Sequence, residues 1–115
     1  MLEAIDIARS AVEIADDMQA SDIVLLDACG ICSFTDYFVI CTGESTRQLQ
    51  AIYDEIEHSL KKEGVMPHHH EGTTGSGWML LDYGSVIVNI FAGPEREYYQ
   101  LDKLWEKLNP VLRIQ

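Results

Sequence analysis

Residues 78–91, a run of β-branched and aromatic residues around one turn dipeptide, constrain the fold of this chain more than any other segment. They read WMLLDYGSVIVNIF. Apolar residues cluster on both sides of Tyr83-Gly84, which predicts two adjacent strands joined by a tight turn. Residues 94–105, which follow, predict a short, aromatic-rich helical segment. The two segments supply apolar surface but no set of catalytic groups, and this favours a binding module over an enzyme.

The rest of the chain alternates helical and strand patterns. Helical spacing of apolar residues predicts an amphipathic helix over residues 2–19. Two strands are predicted at residues 23–26 and 36–43. Ser45, with Gln48 three residues later, predicts the start of a second helix that Gly64 ends.

Residues 65–71 are a further candidate strand, which Pro67 restricts to the edge of a sheet. A flexible loop is expected at residues 73–77. The predicted order is α-β-β-α-β-β-β-α. We therefore expect an α/β (α+β) fold, one compact domain over residues 1–115 with a mixed five-stranded sheet flanked by helices.

Composition restricts the partners. Apolar residues make up 47% of the chain, enough for a core without disulfides or a structural metal. Nineteen Asp and Glu face eight Lys and Arg, for a net charge of −11. This charge opposes direct binding to nucleic acid and favours a basic protein. No apolar run approaches the ~20 residues that span a bilayer, and no export signal precedes the three Cys, so we expect a cytoplasmic protein without membrane contact.

Three motifs could carry chemistry, and each lacks a necessary part. Cys29-Gly30-Ile31-Cys32 is predicted in a loop between strands, without the helix start that activates a redox thiol. Of the His68-His69-His70 run, only His68 and His70 share a strand face, too few ligands for a metal site. Gly43-Glu44-Ser45 precedes a helix, but Glu44 would repel phosphate, and helix capping is the better interpretation. We therefore expect no catalytic residue, no cofactor and no resident metal.

The aromatic residues of the last third are the remaining candidates. Trp78, Leu80 and Asp82 share one face of their predicted strand, and Met79, Leu81 and Tyr83 share the other. Two long helices can cover one face of the sheet but hardly both. One face is therefore expected under the helices, and the other against a partner or a second copy of the chain.

Taken together, these segments resemble the Iojap family, the ribosomal silencing factors. The matching segments run in order along nearly the whole chain. They are residues 35–40, residues 43–52 from Gly43 and Ser45 to Ala51-Ile52, Glu71-Gly72, residues 78–84 with the strand to Phe91, and residues 96–105.

This resemblance implies a nucleotidyltransferase-like topology without transferase activity. It implies binding to the large ribosomal subunit through ribosomal large-subunit protein fourteen, which blocks joining of the small subunit and represses translation. The expected partner-binding residues are Trp78, Leu80, Asp82, Arg96, Tyr99 and Leu101. An alternative role for Arg96 is to brace the C-terminal segment against a carboxylate of the same domain.

Two positions depart from the family, which commonly has His in place of Asn89 and Glu in place of Asp102. A role that needs a charged imidazole at residue 89 is therefore in doubt. Two other functions stay open at this point: a small metal- or nucleotide-dependent enzyme of degenerate nucleotidyltransferase type, and a self-associating scaffold that buries its apolar sheet face in a homodimer.

Overall fold

A computed structural model describes residues 3–98 and 107–114. They form three helices and six strands, with a short 3₁₀ turn at Thr74–Ser76. The elements in chain order are α1 (Ala4–Asp17), β1 (Ser21–Asp27), β2 (Tyr37–Gly43), α2 (Thr46–Lys62), β3 (His69–Thr73), β4 (Trp78–Asp82), β5 (Val86–Ala92), α3 (Gly93–Tyr98) and β6 (Asn109–Ile114). In this part of the chain no helix is long and apolar enough to cross a membrane.

All six strands form one mixed sheet in the order β3-β4-β5-β2-β1-β6. The central pair β2–β5 is parallel, and every other pair is antiparallel. The α+β class is confirmed. Strand β3 lies at a sheet edge as predicted, but it spans His69–Thr73 instead of residues 65–71, so Pro67 precedes the strand and Thr73 belongs to it instead of to the predicted loop. The expected count of five strands was wrong, because β6 pairs with β1 at the opposite edge. Its second residue is Pro110, which such an edge position tolerates.

The helices α1 and α2 pack on the same face of the sheet. Helix α1 buries Ala8, Ala11 and Ala15, small residues that allow its backbone to approach the strands closely. Helix α2 begins after Ser45, whose Oγ accepts a hydrogen bond of 3.1 Å from the Gln48 backbone N–H, as the capping pattern predicted. Its apolar stripe of Leu49, Ile52, Ile56 and Leu60 is fully buried.

The opposite face has its own apolar cluster, which includes Val24, Leu26, Ile40 and Leu108. These four side chains are buried within this single chain. The expectation that this face lies against a partner or a second copy of the chain is therefore wrong for these four residues. Among the side chains that pack against this cluster, Trp78 and Leu80 of β4 remain partly exposed.

Candidate partner-binding surface

Strand β4 separates its side chains between the two faces as its alternation predicted. Met79, Leu81 and Tyr83 are buried, in the cluster beneath α1 and α2. Trp78 and Leu80, on the other face, are half-buried and pack against the second cluster. These two side chains form an apolar strip, which we call the β4 strip.

The strip is held in place by β5. Trp78 pairs with Phe91 and Leu80 with Asn89 across the two strands. The rings of Trp78 and Phe91 lie with their centroids 6.5 Å apart. The indole Nε1–H of Trp78 donates a 3.2 Å hydrogen bond to Asn89 Oδ1. Asn89, one of the two departures from the family pattern, thus fixes the orientation of the indole without any charge.

Gly72 allows β3 to lie against β4 beside Trp78. Its φ is +85°, a left-handed conformation that side chains other than glycine adopt with strain. A Cβ at this position would stand 2.1 Å from the carbonyl oxygen of Trp78. Glycine at residue 72 is therefore required by the close approach of the two backbones.

Polar side chains of β3 border the β4 strip. Glu71 is opposite Leu80 and His69 is opposite Asp82 in the strand register. His69 Nε2 lies 2.7 Å from Glu71 Oε1, and both side chains are more than half exposed. Across residues 3–98 and 107–114, no three His, Cys, Asp or Glu side chains come together as metal ligands. The strip is therefore bordered by exposed acidic and histidine side chains.

Asp82 also has a role in the fold. Its Oδ1 accepts a 2.7 Å hydrogen bond from the backbone N–H of Gly84 and so stabilises the β4–β5 turn. Gly84 has a φ of +83°, which this tight turn requires. The carboxylate remains half-exposed at the end of the β4 strip.

Arg96 is placed inside the fold, with 8% of its surface exposed. Its guanidinium donates hydrogen bonds of 2.6 Å to the carbonyl oxygen of Asp22 and 2.7 Å to Oγ1 of Thr42. It also lies 3.4 Å from the Asp22 carboxylate. The alternative role, bracing α3 against a carboxylate of the same chain, is confirmed. Arg113 of β6 contacts the same carboxylate at 3.0 Å, so Asp22 ties β1 to α3 and β6.

The other two predicted partner residues, Tyr99 and Leu101, lie outside the described residues. The structure therefore brings together Trp78, Leu80 and Asp82 on one strand, and it places Arg96 inside the fold, against β1 and β2, as a support of α3.

The segments considered for chemistry have structural roles. At the start of α2, Ser45 caps the Gln48 N–H, and the Glu44 N–H donates to Gln48 Oε1 at 2.6 Å. The prediction of ordinary capping is confirmed. Cys29 and Cys32 lie in the loop between β1 and β2. Desolvation and the neighbouring carboxylates of Asp27 and Asp36 raise the pKa of the Cys29 thiol, the opposite of what an activated thiol requires.

Sequence reasoning missed one surface feature, the tip of that same loop. Phe34 and Ile31 are 68% and 56% exposed there. Both are large apolar residues inside a predicted connection, and that combination could have identified them.

The chain matches the family described as "Ribosomal silencing factor during starvation" over residues 1–115. It is 42% identical to the ribosomal silencing factor of Bacillus subtilis over 99 residues, 86% of this chain and 84% of that protein. A crystal structure of a protein from Chromobacterium violaceum superposes with a TM-score of 0.86 at 30% identity, over 99% of this chain and 95% of that chain.

A more distant relative is the mouse protein named mitochondrial assembly of ribosomal large subunit protein 1. It is 33% identical over 89 residues, 75% of this chain and 39% of that longer protein. The family match extends over the whole chain and so includes strand β4, which carries the β4 strip. The chain belongs to the ribosomal silencing factor family.

Proposed function

We propose that this protein binds the large ribosomal subunit through ribosomal large-subunit protein fourteen, blocks joining of the small subunit and so represses translation. The observation that carries the proposal is the β4 strip, a partly exposed indole and leucine with an acidic rim, in a chain of this family. The net charge of −11 supports a basic protein as the direct partner.

The proposed contacts divide by chemistry. Trp78 and Leu80 provide the apolar area, and Asp82 pairs with a Lys or Arg of the partner. Trp is among the residues that most often dominate binding energy at interfaces. Its indole is already oriented by Asn89, so little conformational entropy is lost when the partner binds. In the proposal Tyr99 and Leu101 extend this contact. Arg96 supports it indirectly, because it holds α3 against β1 and β2.

The proposed mechanism is steric. The protein acts without catalysis, cofactor or metal, makes no specific contact with nucleic acid, and works in the cytoplasm. Its carboxylates also disfavour unspecific adhesion to the phosphates of ribosomal RNA. The free protein can use the same strip for self-association, in competition with the ribosome.

Co-sedimentation of the purified protein tests the proposal. We expect binding to separated large subunits, no binding to small subunits, and none to joined ribosomes. Adding the protein before the small subunit should reduce the yield of joined particles. Absence of binding to every ribosomal particle would refute the proposal, and thermal shifts with nucleoside triphosphates and divalent metals would then test the enzyme alternative.

Variants locate the contact. Trp78→Ala should weaken binding by about thirtyfold, corresponding to about 2 kcal/mol for a central aromatic anchor. Met66→Ala is the matched control, because Met66 is 53% exposed and lies outside the strip, in the segment before β3. Melting temperatures establish that both variants are folded. Equal affinity of the two variants would remove the strip from the proposed interface.

A further inference from the structure

The loop that joins β1 to β2, residues 28–36, presents apolar side chains to solvent at its tip. Four large apolar residues in the described part of the chain are exposed, and two of them, Phe34 and Ile31, belong to this loop. Exposed apolar side chains that lie together on a surface often mark contact sites. The function proposed above does not use them.

The loop is ordered by its own hydrogen bonds. The carbonyl oxygen of Ala28 accepts bonds from the N–H groups of Ile31 and Cys32 at 3.1 and 2.9 Å. The Ala28 N–H donates to the carbonyl oxygen of Asp36 at 2.8 Å, and the Asp36 N–H donates to Ser85 at 3.0 Å. These bonds fix the backbone at Ile31 and at both ends of the loop, which lowers the entropy lost there when the loop binds.

The tip belongs to the same face of the sheet as the β4 strip. The Phe34 ring meets the Phe38 ring edge to face, with centroids 6.2 Å apart. Phe38 lies in the cluster against which Trp78 and Leu80 pack. The loop therefore projects from the face on which the partner is proposed to bind.

A single partner can contact both the loop tip and the β4 strip. Phe38 pairs with Ile87, and Ile87 pairs with Asp82, so Phe38 and Asp82 are two strands apart. At about 4.8 Å per strand this separation is about 10 Å. A standard interface buries about 800 Å² on each partner, which corresponds to a disc of about 16 Å radius. Such a footprint covers the β4 strip and the loop tip together.

Charge identifies the class of partner. Asp27 and Asp36 flank the loop, and residues 28–36 contain no Lys or Arg. Ribosomal RNA and anionic membranes are repelled by such a surface. A second copy of the chain is disfavoured at this loop, because it would bring its own Asp27 and Asp36 against the same carboxylates. A basic protein face with an apolar pocket complements both the aromatic tip and its acidic flanks.

We propose that Phe34 and Ile31 form a second apolar anchor, which inserts into an apolar pocket of the basic ribosomal protein that the β4 strip contacts. This inference rests on the proposed function. The partner is thereby held at two separated points, which fixes its orientation on the sheet face as well as its affinity.

Titration of N-terminally labelled protein with purified large ribosomal subunits tests the second anchor. Phe34→Ser and Ile31→Ser should each weaken binding by about tenfold, the loss of one well-packed anchor. Met66→Ser is the control, since Met66 is 53% exposed and belongs to neither the loop nor the β4 strip. It should bind within about twofold of the unchanged protein, as is usual for residues outside an interface.

Asp36→Asn distinguishes a protein from RNA as the partner of the tip. If the partner is basic, removing this charge lowers the association rate, and if it is RNA the rate rises. The second anchor would be refuted if both serine variants bind large subunits as tightly as the original protein does while Trp78→Ala binds more weakly. The proposed function would then stand. No binding by the unchanged protein would refute both. Concentration-dependent sedimentation abolished by Phe34→Ser would assign the tip to self-association instead.

Discussion

Replacing Arg96 tests whether this residue supports the fold or contacts the partner. Arg96→Ala removes the hydrogen bonds to the Asp22 carbonyl oxygen and to Thr42 Oγ1, together with the ion pair to the Asp22 carboxylate. The side chain is 9% exposed, so water replaces these interactions poorly. Asp22 keeps its 3.0 Å contact with Arg113, which limits the loss.

The expected destabilisation follows from these contacts. A hydrogen bond that involves a charged group contributes about 1.5–3 kcal/mol, and removal of one partner of a buried ion pair costs about 3–5 kcal/mol. Because the Asp22 carboxylate is about one-third exposed and keeps a second arginine, we expect a value near the low end, about 3 kcal/mol. For a chain of this size that corresponds to a fall in Tm of about 12 °C.

Thermal and urea unfolding of three variants measure this effect. Arg113→Ala is the matched control, since Arg113 contacts the same carboxylate but is 46% exposed, and should cost less than about 1 kcal/mol. Arg96→Lys should fall between the two, because one ammonium group cannot replace the planar fork of a guanidinium. A loss for Arg96→Ala no larger than that for Arg113→Ala would refute the bracing role. Normal stability with lost ribosome binding would make Arg96 a partner residue.

Three further variants or reactions test other parts of the structure. Gly72→Ala should lower the Tm by several degrees and change the Trp78 fluorescence, because its Cβ would overlap the Trp78 carbonyl oxygen; an unchanged spectrum would contradict the close approach. Ser45→Ala should cost about 1 kcal/mol in urea unfolding, while Ser45→Asp should cost little, since Asp also caps helices. Burial raises the pKa of Cys41 to about 12, so its thiol should react with a disulfide reagent only after unfolding. The exposed Cys29 should react in the folded protein. Reaction of all three thiols before unfolding would contradict the burial of Cys41. The pKa of a Cys in the unfolded chain is about 8.5. Above that pH the unfolded state loses the Cys41 proton while the folded state keeps it, so the free energy of unfolding declines as the pH rises towards the folded pKa.

Local patterns in the sequence were sufficient for much of the fold. The Tyr83-Gly84 turn, the capping pair Ser45 and Gln48, and the alternation of β4 were all predicted from neighbouring residues and are confirmed. Each depends on interactions within a few positions along the chain, so the sequence carries the information directly.

The strip and its supports were only partly predictable. Sequence alternation placed Trp78, Leu80 and Asp82 on one face, but it could not tell which face α1 and α2 cover. The exposure of Phe34 was not predicted, because it depends on how the loop between β1 and β2 packs against the sheet.

Features that depend on distant segments were decided by the tertiary structure alone. The pairing of β6 with β1 joins residues more than eighty positions apart, and the contact of Arg96 with Asp22 spans 74 positions. No local periodicity encodes such a pairing, since its stability comes from burial and hydrogen bonds that exist only after the sheet has assembled. The sequence determined which segments become helices and strands and which residues share a face. The assembled sheet decided that Arg96 lies inside the fold and that the β4 strip remains partly open to solvent.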